Sequence, residues 1–402
     1  MSNLIVKNLC WINTKLICRK NKRDANLWVL GEWFGNRCCD NSMYFANYVA
    51  KNHPEIKLVW LAKRGIDTSL LVPTVRVVEM DTTEAILILK KAGVAIMNQG
   101  LNDFYKNIDF HCEGAITVNL WHGVPWKKIG IDTQQKDNIL KRLYGRYMLN
   151  LQRVDYYLAL SESFAKILKR SYYLEDDRIL RTGYPRNSIF YKHENVVTSR
   201  AKVLSLLREK SDIISETTRL VTYMPTFRDH TEKVFSFEEL EENTKLHKLL
   251  DEQDVVIIQK AHFVSQQRNS KGKKCETRRI VAINDISAQE LLAASDMLIT
   301  DYSSCFFDFL LTDKPIIHYL YDYEYYANDD RGLYYVKEDV VCGDSVETID
   351  ELLQAIEDNL KFPDKNALLR QCRREQFMTY ESANSCKIIY EAICEKLKQK
   401  EG

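Results

Sequence analysis

Four short stretches of this sequence place titratable or hydroxyl side chains where they could do chemistry, each directly after an apolar run that reads as a β-strand. The first is Trp121-His122-Gly123-Val124-Pro125-Trp126-Lys127-Lys128. A histidine followed by glycine and proline sits in a rigid turn, and an imidazole that titrates near neutrality can take a proton from an attacking hydroxyl. A histidine bonded within its turn for structure alone would read the same way. The second stretch is Lys260-Ala261-His262. Its lone histidine is a weak signal, but across an interdomain cleft from His122 it would bind a phosphate or protonate a leaving group. The third, Thr300-Asp301-Tyr302-Ser303-Ser304, holds more hydroxyls than one helix cap requires. Free N–H groups and the dipole at a helix start make such a turn an anion site suited to phosphate. The last is a pair, Arg181-Thr182-Gly183-Tyr184-Pro185-Arg186-Asn187 and Pro225-Thr226-Phe227-Arg228-Asp229, whose turns hold arginines. Arg331-Gly332 supplies another possible anion clamp.

These side chains need elements to hold them, and the hydrophobic pattern supplies two series. Strands are expected at Leu27–Trp33, Lys57–Ala62, Val75–Met80, Val94–Asn98, Ala115–Leu120, Tyr156–Leu160 and Arg178–Thr182, with helices at Ser42–Lys51, Thr83–Lys91, Asn138–Leu151 and Ser163–Arg170. After a polar helical stretch the pattern restarts. Strands are expected at Leu220–Met224, Val255–Lys260, Arg279–Ile283, Met297–Thr300 and Pro315–Leu320, with helices at Phe237–Asp251, Ser287–Ala294 and Cys305–Thr312. Alternation of this kind gives parallel sheets with crossover helices, the α/β class, in which ligands bind beyond the carboxyl ends of strands. The expected plan is a basic amphipathic segment over residues 1–25, a first domain over 26–195, a helical connection over 196–218 and a second domain over 219–402. The last helix either closes the second domain or crosses back to the first.

Composition narrows the class. The 402 residues carry 57 Lys+Arg against 56 Asp+Glu, with 45% hydrophobic residues, so the chain is globular and lacks the basic surplus of a nucleic-acid binder. Eleven cysteines with no recognisable signal peptide point to a reduced, cytoplasmic chain with free thiols. No apolar run approaches the roughly 20 residues of a membrane-spanning helix. The even balance conceals two basic runs. Residues 1–23 hold six cations and no acid, interleaved with Leu4, Ile5, Leu9, Trp11, Ile12, Leu16 and Ile17. Residues 127–153 hold Lys127, Lys128, Lys136, Lys141, Arg142, Arg146 and Arg153 among Leu143, Tyr144, Tyr147 and Met148. Either run could lie on an anionic membrane surface, and the second is the better candidate. No phosphate-binding P-loop, dinucleotide fingerprint, nucleophile elbow or zinc spacing is present in the sequence.

Taken in order, WHGVPWKKIG, TGYPRN, MPTFRD, QKAH and LLAASDMLITDYSSCFFDFLLTDKPIIHY, followed by YDYEYY and RGLYY, closely resemble the CDP-glycerol glycerophosphotransferase family, the teichoic-acid primases and polymerases with capsule-building relatives. Trp33-Phe34-Gly35-Asn36-Arg37, Asp40-Asn41-Ser42 and Asn52-His53-Pro54-Glu55 are similar to that family's first strand-loop-helix.

The resemblance implies a GT-B-like fold, two Rossmann-like domains facing a central cleft. It implies attack by an acceptor hydroxyl on the β-phosphorus of CDP-glycerol or a similar CDP-alditol, forming a phosphodiester and releasing CMP. Residue by residue, His122 matches the family's proposed base and His262 its second essential histidine. Ser303 and Ser304, with Thr300, match the pyrophosphate-binding turn, and Asp301 and Asp308 order it. Arg228 and Arg331 are weaker donor-site matches, and Gly123, Asn41 and Arg186 belong to the acceptor side or the cleft. Where the family often has Asp-Gly near its end, this chain has Tyr380-Glu381-Ser382-Ala383-Asn384, so the donor's edge is expected to differ. No cofactor or metal is expected, since positioning and charge stabilisation carry most of phosphoryl transfer. The expected partners are the CDP-activated donor, a lipid-linked or polymeric glycan acceptor and the inner face of the cell membrane, with no nucleic acid. Two alternatives stay open: a GT-B glycosyltransferase or epimerase using a nucleotide sugar, and a non-catalytic binding protein on the same scaffold.

Overall fold

A computed structural model describes residues 2–105, 111–133, 139–152, 154–226, 234–260, 278–328 and 332–401. His262, Arg228 and Arg331 lie outside the described residues, as do Lys136 and Arg153 of the second basic run.

The first unit is built on seven parallel strands: β1 (Asp24–Leu30), β2 (Lys57–Ala62), β3 (Arg76–Glu79), β4 (Ala92–Met97), β5 (Ile116–Asn119), β6 (Tyr156–Ala159) and β7 (Ile179–Arg181). Their spatial order is β3-β2-β1-β4-β5-β6-β7. Parallel strands are covered on both faces, so their central members read as nearly unbroken apolar runs. Ala92–Met97 is buried at every position, and Trp28 of β1 faces Leu58 on one side and Val94 on the other.

The second unit repeats the scheme with β8 (Arg219–Met224), β9 (Val255–Gln259), β10 (Ile280–Ala282), β11 (Met297–Thr300), β12 (Ile316–Tyr319) and β13 (Asp344–Val346), in the order β10-β9-β8-β11-β12-β13. Its core gathers Val221, Ile257, Ile299 and Ile317 from the sheet with Leu246, Leu250, Leu352 and Ile356 from the helices beside it.

The strand expectations lie within a few residues of the observed ends, and the misses have physical causes. β13 is too short and polar to show in the pattern, and it exists because His318 and its neighbours on β12 pair with it. The expected helix Phe237–Asp251 is broken: a single turn, Phe237–Leu240, ends before a new cap, where Asn243 accepts from the Leu246 N–H and starts Thr244–Glu252. The expected helix Cys305–Thr312 is α-helical only to Phe309, and its last turn tightens before Asp313 takes a left-handed conformation.

The units are discontinuous in sequence. The first comprises 1–122, 134–188 and 380–402, and the second 123–133 and 189–379. The polar helical stretch placed between the domains is the helix His193–Arg208, which packs within the second unit. Arg200 on it donates to the carbonyls of Ala294 and Thr218 and to Asp296 (2.9–3.1 Å). The last helix, Ser385–Glu401, lies in the first unit. Glu381 just before it accepts from the Tyr184 N–H (3.0 Å) and from Asn187 (2.9 Å), so Tyr380–Asn384 opens a segment of the first unit. A Cβ at Gly183 would run into the Glu381 carboxylate, which explains the glycine of the TGYPRN turn.

The amino-terminal segment forms the helix Ser2–Arg19. Arg23, counted among its basic residues, is spent internally: its guanidinium donates to the carbonyls of Cys18, Leu89, Ala92, His111 and Glu113.

Candidate active site

Each strand order reverses at one point, between β1 and β4 in the first unit and between β8 and β11 in the second. Loops leaving such strands at their carboxyl ends diverge and leave room for a ligand. The predicted residues cluster at both points.

In the first unit β1 ends at Leu30, and the chain turns through Trp33, Phe34 and Gly35, all with positive φ (49°, 57° and 71°). Glu32 before the turn is fully buried and accepts from the N–H groups of Cys39 (2.5 Å) and Asp40 (2.8 Å). Burial first, and then the Asp40 charge, raise its pKa well above the usual carboxylate range. So held, Asp40 caps the helix Asn41–Asn52 through the Asn41 N–H (2.7 Å) and takes the Trp33 indole N–H on its other oxygen (2.8 Å). It also pairs with Arg186 at 2.9 Å, both side chains only 8% exposed.

That pair holds the backbone of the histidine turn. Arg186 Nη1 donates to the His122 carbonyl (2.9 Å), Asn41 Nδ2 donates to the Trp121 carbonyl (2.9 Å), and the Arg186 N–H donates to Asn41 Oδ1 (3.1 Å). Arg186 and Asn41 are therefore buried behind the site and grip His122 by its main chain.

The half-buried imidazole stacks on Trp121 (5.0 Å between centroids) and meets Trp33 edge-on (6.0 Å). Nδ1 lies 3.4 Å from the Asn98 carbonyl. A carbonyl can only accept, so it selects the tautomer with the proton on Nδ1 and the lone pair on Nε2. Among the described residues nothing bonds Nε2. Asn98 is itself fixed: its N–H donates to Asp103 (2.8 Å) and its side-chain oxygen accepts from Ser42 (2.7 Å). Burial lowers the His122 pKa below 6.5, Asp40 and the Asn98 carbonyl oppose this, and Arg186 adds to it. The ring is neutral at pH 7. Gly123 follows at φ 152°, a backbone conformation that other residues rarely adopt.

In the second unit Thr300 closes β11 and donates to the Met224 carbonyl at the end of β8 (2.7 Å). Asp301, 1% exposed, accepts from the Thr226 N–H (2.8 Å). These two bonds tie the reversal point together. Ser303 and Ser304 begin the short helix Cys305–Phe309, and no side chain caps it. Ser303 bonds the Cys305 thiol, while the Ser304 hydroxyl has no partner among the described residues. Capping therefore does not account for the two serines. Asp308 is buried below the turn and accepts from Gln289 (3.1 Å), a supporting position.

His318 of β12 escaped the sequence reading. It pairs with Thr300 across the sheet, accepts the Cys342 N–H on Nε2 (3.2 Å), and packs against Phe306 (4.8 Å) under the serine turn. Burial lowers its pKa to about 4. The unfolded chain, titrating near 6.5, binds a proton the folded chain refuses between these values. Stability from this group is complete above about pH 6.5 and falls by about 3 kcal/mol as pH drops to 4. Thermal melts of the wild type and His318→Phe at pH 7 and 4.5 check this; an equal acid loss in both would remove His318 as its source.

Residues 14–395 match the family model described as CDP-glycerol:poly(glycerophosphate) glycerophosphotransferase. The chain belongs to that family. Among the glycerophosphotransferases it is similar to the teichoic acid glycerol-phosphate transferase of Staphylococcus aureus (strain NCTC 8325 / PS 47), 26% identical over 340 residues, which cover 83% of this chain and 84% of the relative. It is 24% identical over 325 residues to the teichoic acid poly(glycerol phosphate) polymerase of Bacillus subtilis (strain 168), covering 79% of this chain but only 42% of that longer protein. The solved structure of the wall teichoic acid polymerase TagF superposes with a TM-score of 0.80 at 20% identity, over 100% of this chain and 99% of that one. The GT-B-like fold and the family resemblance carried by the motifs are thus both confirmed.

Four residues that hold the candidate site in place, Glu32, Asp40, Asn98 and His318, are not among the candidates that the sequence offers. Asp40 had a usable signal, since an aspartate directly before Asn41-Ser42 and an apolar helix is an N-cap pattern. Glu32, Asn98 and His318 sit at the ends or inside of apolar strands and show their roles only through partners distant in sequence.

Proposed function

We propose that this glycerophosphotransferase moves glycerol phosphate from CDP-glycerol to a hydroxyl of a lipid-linked or polymeric glycan acceptor in teichoic-acid synthesis. The acceptor oxygen bonds to the β-phosphorus, the bond from that phosphorus to the bridging oxygen breaks, and CMP leaves. The hydroxyl proton goes to Nε2 of His122. One observation carries this reading: a neutral imidazole pinned through Nδ1, with Nε2 unbonded among the described residues. The Thr300–Ser304 turn receives the donor's phosphates, and His262, Arg228 and Arg331 complete that site by their match to the family motifs. CMP appearing from CDP-glycerol only with acceptor present supports the function, whereas UDP from a UDP-sugar, or no turnover of either donor, refutes it.

Replacing both Ser303 and Ser304 by alanine removes hydroxyls from the donor's charged phosphates. Hydrogen bonds to charged groups contribute about 1.5–3 kcal/mol each, so with two lost the KM for CDP-glycerol should rise by at least about 100-fold. An unchanged KM would remove the turn from the donor site.

The acceptor's lipid would be met at the inner face of the cell membrane. No helix among the described residues is long and apolar enough to cross a bilayer. The helix Ile139–Leu151, however, exposes Leu143, Tyr144 and Tyr147 beside Arg146, an apolar and basic surface suited to an anionic headgroup layer. Flotation with anionic vesicles should carry the wild type and fail for Leu143→Glu/Tyr147→Glu; equal flotation would refute the assignment.

A further inference from the structure

Asp103 is fully buried in the first unit and lies one peptide away from the imidazole of His122. It ends the short turn Leu101–Asp103 that follows β4. A buried carboxylate is costly unless its hydrogen bonds are made. Here the two oxygens take three main-chain N–H groups, from the loops that leave β1 and β4. Oδ1 accepts from Phe34 (2.8 Å), and Oδ2 accepts from Asn98 and from Gln99 (2.8 Å each).

The Gln99 N–H and the Asn98 carbonyl belong to the same peptide unit. A trans peptide is planar, so its N–H and C=O point in opposite directions. Asp103 holds the N–H end, and the carbonyl end faces away from it, 3.4 Å from Nδ1 of His122. The Asn98 N–H on the same oxygen secures the residue on the other side of that carbonyl. A charged acceptor on the N–H also polarises the peptide and makes its carbonyl a stronger acceptor. Oδ1 meanwhile holds the turn after β1: Phe34, at φ 57°, follows Trp33, whose ring meets His122 edge-on at 6.0 Å. The bonds run from carboxylate to peptide to imidazole and leave Nε2 at the far end.

We propose that Asp103 is a positioning residue for His122, fixing through the Asn98–Gln99 peptide the tautomer whose lone pair is on Nε2. The proposal rests on His122 being the base. Asparagine at position 103 has one accepting oxygen and an NH2 group that can only donate, so it serves one of the two loops and carries no charge. Alanine serves neither.

The test combines turnover, read as CMP release, with long-range proton–nitrogen NMR of histidine-labelled protein, which reads the nitrogen that carries the imidazole proton; His122→Ala assigns the signal. In the wild type at pH 7 the His122 proton should be on Nδ1. In Asp103→Ala the proton should populate Nε2, and in Asp103→Asn it should do so to a smaller extent. The wrong tautomer costs a catalytic imidazole about 10⁴-fold where a carboxylate touches the ring. Acting through a peptide, Asp103→Ala should lower kcat by about 100-fold, the loss expected from a misplacement of about 1 Å. Asp103→Asn should lose less, and the KM for CDP-glycerol should stay unchanged in both. A wild-type proton on Nε2 overturns the proposal and needs no variant to fold. A tautomer unchanged in Asp103→Ala overturns it as well, even if kcat falls, because Asp103 would then only support the fold. Unchanged kcat in Asp103→Ala overturns it too. Wild-type turnover in His122→Ala would instead remove the base reading on which the proposal stands, and the NMR signal still reports separately whether Asp103 sets the tautomer.

Discussion

His122→Ala is expected to lower CMP release from CDP-glycerol by about 10²- to 10⁴-fold, the contribution of a positioned general base. The affinity for the donor should change little, because the role proposed for His122 is toward the acceptor's proton and not the donor's phosphates. The loss follows from geometry. The Asn98 carbonyl 3.4 Å from Nδ1 keeps the lone pair on Nε2, and alanine leaves nothing there to take the acceptor's proton. The pH profile supplies an independent check. A base acts when unprotonated, and burial lowers this imidazole's pKa below 6.5. Wild-type kcat/KM should therefore be flat around neutrality and fall on the acid side, with a midpoint below 6.5. Residual activity in His122→Ala should lack that acid limb. Wild-type-like turnover in the variant would end the base assignment.

Arg186→Ala should have the largest effect on stability. It strands the Asp40 carboxylate in an enclosure where each partner is only 8% exposed. Breaking a buried pair from one side typically costs 3–5 kcal/mol, since the remaining charge has neither water nor counter-charge. Three things are lost together: the ion pair, the donor to the His122 carbonyl and the packing of the guanidinium beside Tyr184 (5.1 Å). The first unit should unfold at lower denaturant, and turnover at permissive temperature should fall because the His122 main chain loses one of its two anchors. Asp40→Asn/Arg186→Met, which removes both charges and keeps most of the volume, should recover much of the stability and less of the activity. Denaturant midpoints matching the wild type in Arg186→Ala would show that the pair contributes no net stability.

Much of this could be read without coordinates. Parallel strands covered on both faces must be apolar along their length, and β4 and β11 announce themselves for that reason. The polar residues after such strands lie at the carboxyl edge of a sheet, so adjacency alone singles out His122, Asp301 and the serines as candidates. Arg186 and Asn41 also follow turns, but their sequence context does not show what their side chains bond. Their side chains are polar and follow turns, which suggests a ligand, yet they are turned inward onto Asp40 and the main chain of the histidine turn.

What the sequence determined by itself is local and periodic: the α/β alternation, the motif order that marks the family, and the side chains that end each strand. Tertiary structure alone decided which residues share a unit and which hold others still. Residues 123–133 sit in the middle of a run that reads as first-domain sequence, yet Trp126 is buried in the second unit. Residues 380–402 follow second-unit helices, yet Glu381 holds the Tyr184–Asn187 turn. Periodicity reports the environment of one element, whereas these placements depend on partners some 200 residues away. An indole or a carboxylate looks the same in sequence whichever core, carbonyl or backbone N–H receives it.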